Sequence, residues 1–577
     1  MLGGVRGEGR IVLQQARSPG FQASVRCRRL RGAALDRREL LADGRGVDVA
    51  HQAAYVLHLA APGFVAADAL RFEQRPAQLV VELEAGKLRF RQPRQRGAER
   101  LQLEHFALAP GLADEVVLHA SYDSAPMPKH HGFTCGPDQL RGLAQSVLGH
   151  AKRAGASGAD CEISESHGLS VTVRKGRPDT VEHNRDRSVG VSVYWGERPR
   201  ARRGHASTSD FSAEAIRQTV EAAAAIARHT AEDDCAGLPD AGMLARDTPD
   251  LDLFHPWALS TEEAIDLARR CEAAAFAVSK NIRNSEGATV SAQHSQFVLA
   301  NSLGFMSGYP GTRHWLACSV IAEDRGLMQR DDWYSASRVP SQLADPVVLG
   351  RYAGERALAR LGARKIGTRQ APVLFEAPVA LQLIGHFISG INGGNLYRKT
   401  SFLVDSLGKQ VFSPIVQIEE RPHERQGMAS TPFDEEGVAT RMRSIVREGT
   451  VEGYFLGSYS ARKLGMSSTG SAGGHHNLFV RSEGPDFAGM LREMRRGLLV
   501  TDLMGQGVNL VTGDYSRGAS GYWVEAGEIQ FPVEEITIAG NLREMFKGIV
   551  TIGSDRLVRN GRSSGSILVE NMTIAGD

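Results

Sequence analysis

Histidine is the first residue type to weigh, because the chain has 18 of them. A helical zinc-protease motif sets two His one turn apart on one face, with a Glu beside the first as general base. The His-Glu pair here, His423-Glu424, is followed by Arg425, Gln426 and Gly427, with no second His in register. It sits in a Pro-containing loop and reads as a solvated surface pair. His130-His131 and His475-His476 are adjacent doublets. Neighbouring side chains diverge on strand or helix, so a doublet alone chelates poorly. His475 differs in following Gly470-Ser-Ala-Gly-Gly474. That segment lacks the Lys and the strand–loop–helix setting of a phosphate loop. Its Gly473 and Gly474 suit either a tight turn or the close approach of an extended ligand.

Serine chemistry has two candidates. Gly561-Arg-Ser-Ser-Gly565 matches the nucleophile-elbow pattern, but a strand-like segment follows it and no His lies downstream. That excludes the usual base. Ser460-Ala-Arg-Lys463 matches a pattern in which a Lys one turn away deprotonates the Ser. Neighbouring Arg462 is a further cationic candidate for contact with a peptide. Tyr397-Arg398-Lys399 is a basic run that could hold a peptide carboxylate or simply end in solvent.

Bulk properties narrow the class. At 577 residues the chain exceeds one ordinary core, so two or more domains are expected. A formal charge of +2 argues against a nucleic-acid binder held by a strong basic field. No run nears the roughly 18 apolar residues of a membrane span, and the N-terminus lacks the apolar core of a signal peptide. The expectation is a cytoplasmic protein with no membrane partner. Six cysteines at 27, 135, 161, 235, 271 and 318 stand singly, which predicts free thiols rather than a zinc ribbon or disulfide scaffold.

Three regions differ in pattern. Residues 1–126 are Arg-rich with one Lys, Lys87, and no Met after Met1; 79–84 is their clearest strand. They read as an atypical extension, with Met127 as the alternative start. Residues 127–365 read as a mixed α/β domain. Helices are expected over 139–153, from the Ser212 cap to about 227, from the Ser260 cap, and over 349–361. Strands are expected over 169–175, 189–195, 288–300 and 314–322. Residues 366–577 read as one short helix over 379–388 and then β-rich, antiparallel and barrel-like. Its strands are expected at 443–449, 451–456, 507–513, 522–528 and 566–570, between Gly-rich turns. The fold class is therefore α+β.

Ten ordered segments carry a resemblance. They are Gly308-Tyr-Pro-Gly-Thr-Arg-His314, Cys318-Ser-Val-Ile-Ala-Glu323, Leu396-Tyr-Arg-Lys399, Asp405-Ser-Leu-Gly-Lys-Gln410 and Ala429-Ser-Thr-Pro-Phe-Asp434. Then come Ser458-Tyr-Ser-Ala-Arg-Lys-Leu-Gly465, Ser468-Thr-Gly-Ser-Ala-Gly-Gly474, Leu503-Met-Gly-Gln-Gly507, Thr512-Gly-Asp-Tyr-Ser-Arg-Gly518 and Glu535-Ile-Thr-Ile-Ala-Gly-Asn541. Together they resemble the TldD/PmbA family, in its TldE (PmbA) branch, from about residue 139 to the C-terminus and not over 1–126.

The resemblance implies a two-protein metallopeptidase, TldD with TldE, that degrades or trims small or unfolded peptides of the microcin-precursor or antitoxin type. In TldD a helix carries His-Glu-x-x-x-His, and a distant Cys completes the ligands. The matching positions here are Leu381, Gln382 and His386, with the Cys position at or near Ser564. One imidazole cannot make a catalytic zinc site, and Gln382 cannot act as a carboxylate base. The implied state is a chain that holds no cofactor, with zinc in a TldD-type partner, and His386 as a core residue satisfied by a hydrogen bond. The rivals are a serine hydrolase using Ser460 and Lys463, and a non-catalytic peptide-binding homodimer. Candidate contacts to peptide or partner are Tyr397, Arg398, Lys399, Arg462, Lys463, Gly473, Gly474 and His475.

Overall fold

A computed structural model describes residues 132–576 throughout and, ahead of them, the backbone of seven short strands between Gly9 and Tyr122. The chain divides into two units, Met1–His131 and Gly132–Asp577. In the first, Gly9–Gln14, Phe21–Cys27 and Val116–Tyr122 form an antiparallel sheet. Val80–Glu84, at the strand expected over 79–84, pairs with Lys87–Arg91. The His130-His131 doublet lies outside the described residues.

The second unit begins with four helices on one antiparallel sheet. Its long strands run in the order Arg202–Thr208, Arg177–Trp195, Gly158–Arg174, Ile282–Asn301, Pro310–Asp324 and Leu327–Ser337. Alternation sets which face is covered. Cys161, Ile163, Leu169, Val171 and Val173 are all buried, and residues two apart along a strand share a face. Helices α1 (Pro137–Arg153) and α2 (Ala213–His229) cover the first two of these positions, and α3 (Thr261–Phe276) and α4 (Pro346–Ala359) cover the rest.

Three of these helices, α2, α3 and α4, start at a side-chain cap. Ser212 Oγ accepts from Ala215 N at 3.3 Å. Ser260 and Glu263 form a reciprocal box, at 2.9 Å from Ser260 N to Glu263 Oε2 and 3.2 Å back from Glu263 N to Ser260 Oγ. Asp345 receives Val347 N and Val348 N at 2.9 and 3.2 Å ahead of a helix that opens on Pro346. Cys135, Cys161, Cys235, Cys271 and Cys318 are free thiols.

The C-terminal half contains a closed five-stranded barrel. Arg369–Phe375 pairs in parallel with Gly497–Met504 on one side and antiparallel with Ile567–Ala575 on the other. Asp514–Glu525 and Glu528–Asn541 complete the ring. A second sheet of six strands includes Arg443–Arg447, Ile418–Glu420, Leu478–Val480 and Arg562–Ser564. Helix α5 (Ala377–Gly390) lies between the two. Its Val379, Leu383, Ile384 and Phe387 share one core with barrel residues such as Phe375 and Val500 and with Ile418, Ile445 and Leu478 of the sheet. Coverage on two sides explains why α5 is apolar around most of its circumference.

Two expected strands are corrected. Residues 507–513 are a loop that joins Gly497–Met504 to Asp514–Glu525. Asn509 Oδ1 accepts from Val511 N at 2.9 Å, and Gly513 takes a φ of +86°, which favours a turn. In 451–456 only Thr450–Val451 pairs as a strand. Beyond it, side chains take the backbone groups: Thr469 Oγ1 accepts from Leu456 N at 2.8 Å, and Arg443 donates to Tyr454 O at 2.7 Å.

Candidate functional site

One face of α5 carries the exposed Gln382 and Ser389 and, between them, the half-buried Gly385 and His386. Leu381 points the other way and is buried at 5% exposure. Arg517, from the barrel strand Asp514–Glu525, donates from Nη1 to Gln382 Oε1 at 3.1 Å and from Nη2 to Leu503 O at 3.2 Å. Tyr515, two residues earlier on the same face, packs edge-on to His386 with ring centroids 5.8 Å apart. From the second sheet, Arg562 lies over Gly385, where a Cβ would sit 2.9 Å from its Nη1. The missing side chain at Gly385 is what lets the guanidinium reach the helix.

The expectation that His386 is satisfied by a hydrogen bond is corrected in part: its Nε2 is buried and has no partner. Burial first, then the charges of Arg517 and Arg562, lower its pKa to about 4. Ser564 is fully buried and donates to Gly565 O at 2.9 Å.

His475 belongs to this surface. Arg562 Nε donates to its Nε2 at 3.0 Å, while its Nδ1 lies 2.7 Å from His476 O. A ring that accepts at Nε2 and donates at Nδ1 is neutral, in keeping with a pKa lowered to about 4, chiefly by burial. His476 turns inward and meets Glu420 at 3.0 Å. Glu420, 1% exposed, also receives Arg443 Nε at 2.6 Å. Burial alone would raise its pKa, but His476 and Arg443 outweigh that and lower it.

The Gly-rich loop is built from within. Asp434 Oδ2 accepts from Ala472 N at 2.9 Å, and a Cβ on Gly473 would sit 2.4 Å from Glu435 Oε1. Gly473 therefore serves a close approach of the chain to itself, at a φ of +88°. Gly474 has open space beside it at a φ of +124°.

Other expected contacts divide. Tyr397, at the end of helix α6 (Gly393–Tyr397), packs edge-on to Tyr459 at 5.8 Å. Arg398 and Lys399 are exposed, and Arg398 reaches no further than Tyr397 Oη at 3.0 Å. Arg462 is spent inside the fold, donating to Cys235 O at 3.1 Å and Gly237 O at 3.0 Å. Lys463 pairs with Asp233 at 2.9 Å and Asp234 at 2.8 Å. These partners raise its pKa, whereas a general base needs it lowered. Ser460 Oγ donates to Gly457 O at 3.1 Å. The structure does not join Ser460 and Lys463 as a nucleophile and base.

Three family domains match the chain: PmbA/TldA metallopeptidase domain 1 over 159–227, the central domain over 254–361 and the C-terminal domain over 368–576. Metalloprotease PmbA of Escherichia coli O157:H7 is 49% identical over 421 residues, spanning 73% of this chain and 93% of that protein. The chain belongs to the PmbA/TldD metallopeptidase family. A TldD homolog of Haemophilus influenzae is 23% identical over 388 residues, covering 63% of this chain and 78% of its own. The crystal structure of TldE from Thermococcus kodakarensis shares the fold, with a TM-score of 0.64 at 18% identity, covering 75% of this chain and all of that one.

A metallopeptidase family implies a metal, and the α5 surface does not suit one. It offers one imidazole, Gln382 engaged by Arg517, and a buried serine already donating elsewhere. Two guanidiniums beside His386 would repel a divalent cation. The Asp233, Asp234 and Cys235 group has three donors within 4.8 Å, but Lys463 already holds both carboxylates.

Sequence reading passed over Arg517, Arg562 and Tyr515. Arg517 and Tyr515 stand inside Thr512-Gly-Asp-Tyr-Ser-Arg-Gly518, and Arg562 inside the rejected Gly-x-Ser-x-Gly pattern. A signal existed in those motifs, but only the fold brings the three to one helix.

Proposed function

We propose that this chain is the metal-free subunit of a two-chain peptidase, holding small or unfolded peptides while a TldD-type partner supplies zinc and the general base. The observation that carries this reading is the α5 surface, where one neutral imidazole stands with two arginines at the position expected for a metal site. The exposed Arg398, Lys399 and Gly474 are the contacts proposed for peptide or partner. The compartment proposed is the cytoplasm. Among the described residues no helix is long and apolar enough to cross a membrane.

Reconstitution tests it. The full chain and a TldD-type protein are assayed alone and mixed against unfolded polypeptide. Cleavage is expected to rise at least tenfold on mixing, with none from this chain alone. Equal cleavage by the partner with and without this chain contradicts the reading, and so does a homodimer of this chain that ignores the partner.

A further inference from the structure

Three polar groups beside α5 lack what buried polar groups normally have. Among the described residues, His386 Nε2, Tyr515 Oη and Arg517 Nε are buried without a well-formed hydrogen bond, the Tyr515 hydroxyl having only the neighbouring Arg517 guanidinium to turn to. Tyr515 is 1% exposed, so its hydroxyl has no direct recourse to bulk water. Native folds rarely strand such groups, and where several meet they mark a place that a ligand or water completes.

The charges point the same way. Among the described residues, some half-buried arginines are matched to acids, while others, such as Arg369 and Arg559, lie over aromatic rings instead. Arg356 pairs with Asp331 at 3.0 Å and Glu376 at 2.8 Å, and Arg443 pairs with Glu420 at 2.6 Å. Buried Arg338 instead spends its donors on the carbonyls of Gly427, Thr312 and Met428. Among the described residues, Arg517 and Arg562 meet no carboxylate. Arg517 reaches an amide oxygen and a carbonyl, and Arg562 uses Nε alone, on His475. Burial lowers the Arg562 pKa, with no acid to offset it. His475 fixes the plane of the fork, and the terminal nitrogens of Arg562 remain free to donate beside Gly385. Two guanidiniums, a phenol and a neutral imidazole can all donate, and the Arg forks match the two oxygens of a carboxylate. A half-buried guanidinium without an anion is costly, and a bound carboxylate would remove that cost.

We infer that the ridge of α5 at Gln382 and His386, with Tyr515, Arg517 and Arg562, is a binding site for a carboxylate of a peptide. The site replaces a cation position with an anion position on the same helix. Its ligand is the C-terminal carboxylate of a peptide or the side-chain carboxylate of an acidic residue. This rests on the reading of the chain as a peptide-holding subunit and adds the chemistry by which a peptide is gripped.

The test uses the full chain alone and fluorescence anisotropy with a short alanine-rich peptide labelled at its N-terminus. The peptide is made as free acid, as C-terminal amide, and as amide with one internal Glu. At least one carboxylate-bearing form is expected to bind tenfold or more tightly than the plain amide. A preference for the free acid assigns the terminal carboxylate; a preference for the Glu amide assigns the side chain. Arg517→Gln and Arg562→Gln should each erase the preference. Gln382→Glu, on the exposed rim, should weaken it by placing a competing carboxylate beside Arg517, so the result does not hang on the arginine variants folding. Three forms binding alike, or none binding, overturns the site. A chain that activates its partner but ignores the carboxylate loses only this inference. One that reads the carboxylate but activates nothing loses the subunit reading instead.

Discussion

At the scale of single residues, His386 and His475 couple stability to pH. Burial lowers both from 6.5 to about 4, so between those values the unfolded chain binds more protons than the folded one. Each contribution is complete above pH 6.5 and fades as pH falls toward 4, by about 2 kcal/mol per histidine at pH 5. Asp434 acts in the opposite sense, because burial raises its pKa to about 7. The net slope of the native chain therefore mixes signs, and a variant isolates one share. In urea unfolding at pH 7.5 and 5.0, His386→Asn should lose about 2 kcal/mol less than the native chain over that interval. An identical pH response in both would show that His386 is not held neutral. Lys463 allows a second check: with its carboxylate partners keeping it charged, a fluorophosphonate probe should leave Ser460 unlabelled. Labelling that disappears in Ser460→Ala would restore the serine hydrolase.

At the scale of elements, α5 and the strand around Glu420 join the barrel to the second sheet. Phe387 is fully buried and packs edge-on to Phe412 at 4.7 Å. Phe387→Ala should cost about 3–5 kcal/mol in chemical unfolding; a loss under about 1 kcal/mol would mean the helix is not part of the shared core. Glu420→Gln should cost about 3–5 kcal/mol, because it leaves the Arg443 charge buried and unpaired. The helices were legible because caps and spacing are local: Ser212 and Ser260 stand at starts that side-chain bonding enforces, whereas the Asp345 cap went unread and its helix was expected to start three residues late. The α5 surface was half legible. Leu381, Gln382 and His386 could be named through the family resemblance, which aligns one helix, but the arginines come from strands far along the chain. Spacing along a sequence does not encode a barrel strand crossing a helix. Arg462 misled for the same reason, since a cation beside a Gly-rich segment resembles a binding group until its carbonyl partners at Cys235 and Gly237 are placed. The strands expected at 451–456 and 507–513 failed because a run of β-forming residues between glycines also describes a loop tied down by side chains.

At the scale of the whole molecule, a family match running from 159 to 576 coincides with a helix-covered sheet followed by a barrel and its companion sheet. The barrel closes without leaving edges, and α5 is packed into the core on two sides. A helix packed on two sides presents its remaining face in one orientation. Charge then decides the kind of ligand: two arginines disfavour a divalent cation and favour an anion. The most direct test of that claim is zinc stoichiometry of the isolated full chain after dialysis against excess zinc and then buffer. The account predicts well under one equivalent retained, and no gain in Arg517→Gln, because Leu381 and Gln382 still supply no ligands. One tightly held equivalent that is lost in His386→Ala would contradict it and would make α5 a metal site after all.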